Sequence, residues 1–254
     1  MKHYAIFAVG LLAASLLSAA HAQEKDAEKL FRAMEKKIKD AKAFEVAFSY
    51  QLEGKTTKGS LLLTNDNKTR LQLSGPFYFG LKSNAKFELV SDGKQFKTKG
   101  AKLVIATNGQ AGFDVDGQSE GKIGKQFHAL HAVIFSRGGI GAVVLGLPYF
   151  VGMDEPIDPD QEASKMTVYD FKAGAAEKVG ERQAKVLHYR FGKGGNDDAE
   201  MALWIDAETG LPVKRVLALP KGDKIRITED YSQFKLNPKL EAKAFELPNR
   251  FQND

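Results

Sequence analysis

The chain has 254 residues, 37 Lys and Arg against 32 Asp and Glu, a formal charge of +5, and no cysteine. Without a thiol there is no disulfide, no Cys nucleophile and no Cys-based metal site. The small basic excess is scattered along the chain, which argues against nucleic acid as a partner, since that footprint is clustered.

Residues 1–22 begin with a basic Lys2, run apolar over 5–17 and end in Ala20-His21-Ala22. That is the pattern of a secretory signal cleaved after Ala22, so Gln23 is the expected mature N-terminus and the periplasm the expected location. The apolar run is shorter than the ~20 residues a membrane span needs. The remainder, 23–254, reads as a single domain.

Ala27, Leu30, Phe31, Met34, Ile38 and Ala41 fall on one helical face, predicting an amphipathic helix over 26–42 with Asp26 as its cap. Strands follow. Phe44, Val46, Phe48, Tyr50 and Leu52 alternate with polar or small residues, and shorter alternating runs cover 59–63, 70–73, 86–91, 95–98 and 103–106. Asp92-Gly93 marks a hairpin turn. Successive strands without intervening helices predict an antiparallel sheet.

The pattern changes over 121–153. Residues 126–135 have helical apolar spacing, and glycines 138, 139, 141 and 146 interrupt a greasy run. Two readings stand side by side. One is a mobile apolar lid with glycine hinges, presenting Phe135, Val144, Leu147 and Phe150 to a ligand. The other is a buried helix pair that completes the core. Residues 154–162 carry five carboxylates without the spacing of a calcium loop, so a solvated linker is expected. Strands resume over 165–172, 183–191, 201–206, 213–219 and 224–231. Residues 244–251 close the chain, Pro248 ending the last element.

No catalytic constellation emerges. His128 and His131 lie three apart on a predicted helix, but no third ligand sits at a recognisable spacing, so no metal is expected. Nucleophile-elbow and phosphate-loop patterns are absent, and no cofactor is implied. Aromatic residues are the surplus, with 17 Phe, 7 Tyr and one Trp. A sheet face bearing Phe44, Phe48, Tyr50, Leu62, Leu71, Phe87 and Phe96 forms an apolar concavity when the sheet curls, either filled by its own side chains or open to a ligand. Each buried CH2 of an acyl chain contributes ~0.8 kcal/mol, so such a face binds lipid without polar contacts.

One hairpin is distinctive. Trp204-Ile-Asp206 leads into Thr209-Gly-Leu-Pro212 and the returning Lys214-Arg215, followed by Tyr231-x-x-Phe234 and a closing Phe245-x-x-Pro248. This wording resembles the LolA-like superfamily of periplasmic lipoprotein carriers. The resemblance implies an α+β fold: a strongly curved antiparallel sheet, or half-open β-barrel, with helices covering the concave face. It implies a non-enzymatic, monomeric carrier of a lipid, lipoprotein acyl chain or other hydrophobic ligand, with Trp204 in the cavity and a membrane-bound donor or acceptor, serving outer-membrane biogenesis. In those carriers an arginine after the second strand ties barrel to lid, and Arg70 holds the matching position. The alternatives are an envelope-sensing protein-interaction module with a filled core, and last a hydrolase using His188 or His131.

Overall fold

The computed structural model describes residues 24–76, 86–105, 111–122, 127–150, 161, 165–196, 198–219 and 226–247; side chains within 101–119, 145–150 and at 127 and 242 lie outside that description. The expected signal at 1–22 and the acidic linker, apart from Gln161, fall outside it too.

A helix, α1, is described over 24–40 and turns Ala27, Phe31, Met34 and Ile38 inward, at most 2 % exposed. Six strands then run as a meander: β1 (Ala43–Leu52), β2 (Lys55–Thr64), β3 (Lys68–Ser74), β4 (Lys86–Asp92), β5 (Gln95–Ile105) and β6 (Ala111–Lys122). Helix α2 (Phe127–Phe150) follows, and a second set returns: β7 (Thr167–Ala173), β8 (Glu177–Val179), β9 (Arg182–Gly192), β10 (Ala199–Asp206), β11 (Pro212–Ala218) and β12 (Arg226–Leu236). A short 3-10 helix, Ala242–Phe245, comes last among the described residues.

The twelve described strands make one antiparallel, curved and unclosed sheet in the order β6-β5-β4-β3-β2-β1-β12-β11-β10-β9-β7, with β8 paired to β9. The α+β half-barrel is therefore present. Its two meanders join at a single seam between the first and last strands, where β1 pairs with β12 from Phe44–Leu236 to Leu52–Ile227.

One face of the sheet is the core. Phe44, Val46, Phe48 and Tyr50 are at most 5 % exposed, while Glu45, Ala47, Ser49 and Gln51 between them are less buried. Both helices pack on the apolar side. The Phe31 ring of α1 meets Phe171 and Tyr189 at 5.2 and 5.0 Å, and Phe135 of α2 meets Phe44, Tyr231 and Phe234 at 5.5, 5.6 and 5.5 Å. Each buried Phe of this kind contributes roughly 1.5–3 kcal/mol of transfer free energy. Among the described residues no helix is long and apolar enough to cross a membrane.

Several boundaries differ from expectation. Residues 95–98 and 103–105 belong to one strand, β5, with φ +88° at Gly100 and a register shift around it, and Ala106 lies outside the described residues. Strand β6 lies where the sequence predicts no element, because Gly112, Asp114, Asp116 and Gly117 dilute the apolar alternation of Phe113 and Val115. Residues 121 and 122 thus end a strand, and α2 begins only at Phe127. Strand β12 continues five residues beyond the predicted Tyr231, to Leu236. Of the predicted closing element at 244–251, Ala244 and Phe245 end a 3-10 turn that starts at Ala242, and 248–251 lie outside the described residues.

Candidate functional site

The site is built around α2. The helix starts where the turn between β2 and β3 offers it a cap: Asn67 Oδ1 accepts the His128 backbone N–H at 3.0 Å. Downstream the sequence Arg137-Gly-Gly-Ile-Gly-Ala-Val-Val makes an apolar helix with poor internal support at its glycines. The helix breaks there. Gly139 adopts φ 84°, ψ −169°, a conformation open essentially to glycine alone. An added Cβ at Gly139 would lie 2.2 Å from Glu229 Oε2 and 2.7 Å from an Arg215 guanidinium nitrogen, so sterics demand glycine as well.

A break leaves carbonyls at the end of the first half-helix and amides at the start of the second without helical partners. The sheet below supplies both. Arg215 donates through Nη1 to the Phe135 carbonyl at 2.7 Å and through Nη2 to the Ser136 carbonyl at 2.9 Å. The Tyr189 hydroxyl donates to the Arg137 carbonyl at 2.7 Å. Across the break, Glu229 accepts from Ile140 N–H at 3.1 Å and Gly141 N–H at 2.8 Å. The Tyr231 hydroxyl donates to the same carboxylate. A cation thus sits at a helix C-terminus and an anion at a helix N-terminus, each complementing the local dipole. Arg215 and Glu229 are register partners on β11 and β12 and are 0 % and 2 % exposed.

Both tyrosines are held as donors. Burial, reinforced by Glu229 and Glu35 and opposed by Arg215, pushes the Tyr189 hydroxyl up to about 12. Burial and the adjacent Glu229 carry Tyr231 well above its ordinary value. A second tie joins the helices: Arg137 Nε donates to Glu35 Oε1 of α1 at 2.6 Å, and Nη1 donates to the Met166 carbonyl at 2.9 Å. This is a positioning device for a jointed helix. Most of its polar groups bond backbone carbonyls and amides of the broken helix.

Beside the joint is an apolar groove of about 520 Å³ lined by Phe191, Ala199, Leu217 and Leu219, with Gly192–Gly195 and Asp198 along its rim. It adjoins α2 directly, since a Cβ built at Gly138 would lie 3.2 Å from the Phe191 ring. The rim loop is locked by Asp198, which accepts from the amides of Lys193, Gly194 and Gly195 and from the Tyr169 hydroxyl at 2.8 Å. Burial alone would raise that carboxyl, but these bonds prevail and bring it down to about 2. A wider groove of about 1200 Å³ at the opposite end of the strands mixes Lys42, Lys68, Arg70 and Lys243 with Asp66 and Asp92, so it has no single-sign character.

The structure gathers most of the sequence-derived candidates. Phe44, Phe48, Tyr50, Leu71, Phe87 and Phe96 share the buried face, and Phe135 and Val144 of α2 are buried in the same core. The side chains of Leu147 and Phe150 lie outside the described residues. Leu62 and Trp204 belong to the other face. Strict alternation turns Leu61 and Leu63 inward and leaves Leu62 out, half-buried beside a surface groove; it turns Leu203 and Ile205 inward and leaves Trp204 out. Trp204 Nε1 donates to Glu177 at 2.8 Å and Lys214 lies 5.0 Å from its ring centroid, so this residue does not join the concavity. Arg70 donates to Glu88 of the neighbouring strand at 3.0 and 2.8 Å; the arginines bonded to α2 or extending from it are Arg215 and Arg137. Arg215 and Glu229 were missed as site residues. The signal was present, because each falls on the buried parity of its strand, between Val213 and Leu217 and between Ile227 and Tyr231.

His128 and His131 are 5 % and 1 % exposed, and burial, partly offset by Asp66, drives His128 down to about 4. His188 is exposed. Among the described residues no three His, Cys, Asp or Glu side chains cluster to hold a metal.

No protein-family model matches the chain, and no curated protein matches it in sequence. Solved structures are similar. MucB is 18 % identical, over 89 % of this chain and 64 % of that one, with a TM-score of 0.44. The Mycobacterium tuberculosis lipoprotein LppX is 12 % identical, over 85 % and 98 %, with a TM-score of 0.45. A LolA superfamily protein from Nitrosomonas europaea is 10 % identical, over 87 % and 97 %, with a TM-score of 0.31. The likeness is one of fold. The chain spans less than two thirds of the length of MucB.

Proposed function

We propose that the protein is a non-enzymatic carrier that binds a lipid, a lipoprotein acyl chain or a similar apolar molecule. It works in the periplasm as a single domain, 23–254, after removal of residues 1–22, and segment 121–153 supplies the cover. The observation that carries this reading is the apolar groove of about 520 Å³ beside a helix jointed at Gly139. Its volume falls within the ~300–1,000 Å³ range of small-molecule sites. An apolar chain lies along Phe191, Leu217 and Leu219, and the second half of α2 closes over it by turning at the joint. Loading and release follow that motion, with a membrane-bound donor or acceptor at either step.

The test is native mass spectrometry of mature protein taken from the periplasm, with organic extraction and a second measurement after incubation with envelope lipids. A discrete adduct that extracts as lipid is expected, and Leu217→Asp, with half-buried Leu217 lining the groove, should lose it while remaining folded by circular dichroism. A mass without adduct under both conditions overturns the proposal.

A second reading has its own support. The described centre of the sheet is filled, with the Phe135 ring against Phe44, Tyr231 and Phe234 and Phe44 against Phe234. A filled core suits an envelope-sensing module that recognises a protein, as MucB has been solved with MucA. In that case the groove stays empty of lipid and a specific periplasmic polypeptide co-purifies.

A further inference from the structure

The two ends of the strands differ in chemistry. Following the register from strand to strand, Leu52 meets Lys55, Ser74 meets Lys86, Glu88 meets Lys99, Ala218 meets Arg226 and Ala199 meets Phe191. All of these residues lie at one end, which is the end where the apolar groove opens. There the strands finish in the exposed cations Lys55, Lys58, Lys86, Lys193 and Arg226. The exposed acids at that end, among the described residues, are Glu53, Asp170 and Glu200. The opposite end carries both signs in near balance around the wider groove.

The β5–β6 ribbon adds to this asymmetry. It continues past the start of β4 at Lys86, pairing Leu103 with Phe113 and Ile105 with Ala111 beyond the last β4–β5 pair, Glu88 with Lys99. A two-stranded ribbon outside its sheet has little support of its own in water. The cationic arc, the mouth of the groove and the projecting ribbon therefore share one end of the molecule.

We propose that this end docks onto an anionic lipid bilayer, so that an apolar chain passes between membrane and groove without crossing water. The proposal rests on the carrier reading and names the surface from which the carrier loads or to which it delivers. Lysine and arginine arranged around an apolar opening complement anionic headgroups, and the attraction falls off within a Debye length of ~8–10 Å at working salt. Only residues at the rim contribute at that range. A protein partner would meet the same rim through specific contacts and would not discriminate between lipid charges.

The experiment is co-sedimentation of the mature protein with phosphatidylglycerol vesicles and with phosphatidylcholine vesicles, across a salt series. Binding to the anionic vesicles alone, weakening as salt rises, is expected. Lys55→Glu, Lys86→Glu and Lys193→Glu should each lower that affinity about fivefold or more. Lys239→Glu and Lys243→Glu, on the opposite end, should leave it unchanged. Equal binding to neutral vesicles, no binding to either, or loss caused by the opposite-end changes would each overturn the assignment. Binding of a soluble fluorescent fatty acid, measured on the same variants without vesicles, separates this failure from failure of the carrier reading. The rim variants should retain it.

Discussion

At the scale of single residues the joint at Gly139 leaves no room for a side chain. A side chain there meets both a positive φ and two buried charged groups. Gly139→Ala should therefore cost about 3 kcal/mol or more, combining backbone strain with displacement of buried charge. Urea unfolding measures this, and a loss below about 1 kcal/mol would show that the joint relaxes freely. Arg215 and Glu229 act through the same few backbone atoms. Arg215→Leu and Glu229→Leu should each cost about 3–5 kcal/mol, because each strands an unpaired buried charge. The double variant should cost clearly less than the sum. Strict additivity would mean that the two caps work independently. These residues also mark what alternation concealed: the parity that places Val213 and Leu217 inside places Arg215 inside too, but nothing local to β11 reveals the broken helix it caps.

At the scale of elements, α1 and the longer strands were legible because their apolar residues repeat at 3.6 or 2 with little interruption. The weak cases have identifiable causes. Glycines and acids diluted β6, and β8 has only three residues, Glu177–Val179. For the hairpin of β10 and β11, the alternation that revealed the strand also assigns Trp204 to the outside, and the expectation of a cavity residue came from resemblance. Helix α2 illustrates a different limit. Its glycines announced a hinge, but which carbonyls and amides the hinge would expose depends on strands about 80–90 residues away in sequence. The start of the helix yields a pH prediction. His128 is neutral when folded, its imidazole held near 4 by burial, against an ordinary 6.5. The unfolded chain therefore binds the extra proton between these values, and stability falls as pH drops from about 6.5 through 4, by up to about 3 kcal/mol. Unfolding curves for His128→Leu should lose that portion of the pH dependence, and an unchanged slope would assign it to other groups.

At the scale of the whole molecule, the open sheet places a groove and a rim of cations at one end and a mixed-charge surface at the other. On the proposed carrier reading, the protein meets its membrane in one orientation. Asp198 contributes to that geometry by holding the rim loop. Its carboxyl is depressed to about 2, so its support is complete above the unfolded carboxylate range near 3.8 and disappears as pH falls through about 2. Amide exchange in 193–195 should accelerate over that interval and Asp198→Asn should show fast exchange throughout; protection in Asp198→Asn equal to that of the native protein would remove Asp198 from the role. The seam between β1 and β12 has a further consequence, for how the molecule is made. Each meander can assemble from neighbours along the chain, but they are joined through β12, the last strand among the described residues, and β12 also brings Glu229 to the joint. A polypeptide cut short before residue 226 lacks both the closing strand and the anion that starts the second half of α2. Closure of the sheet and capping of the broken helix thus depend on the same eleven residues, Arg226–Leu236.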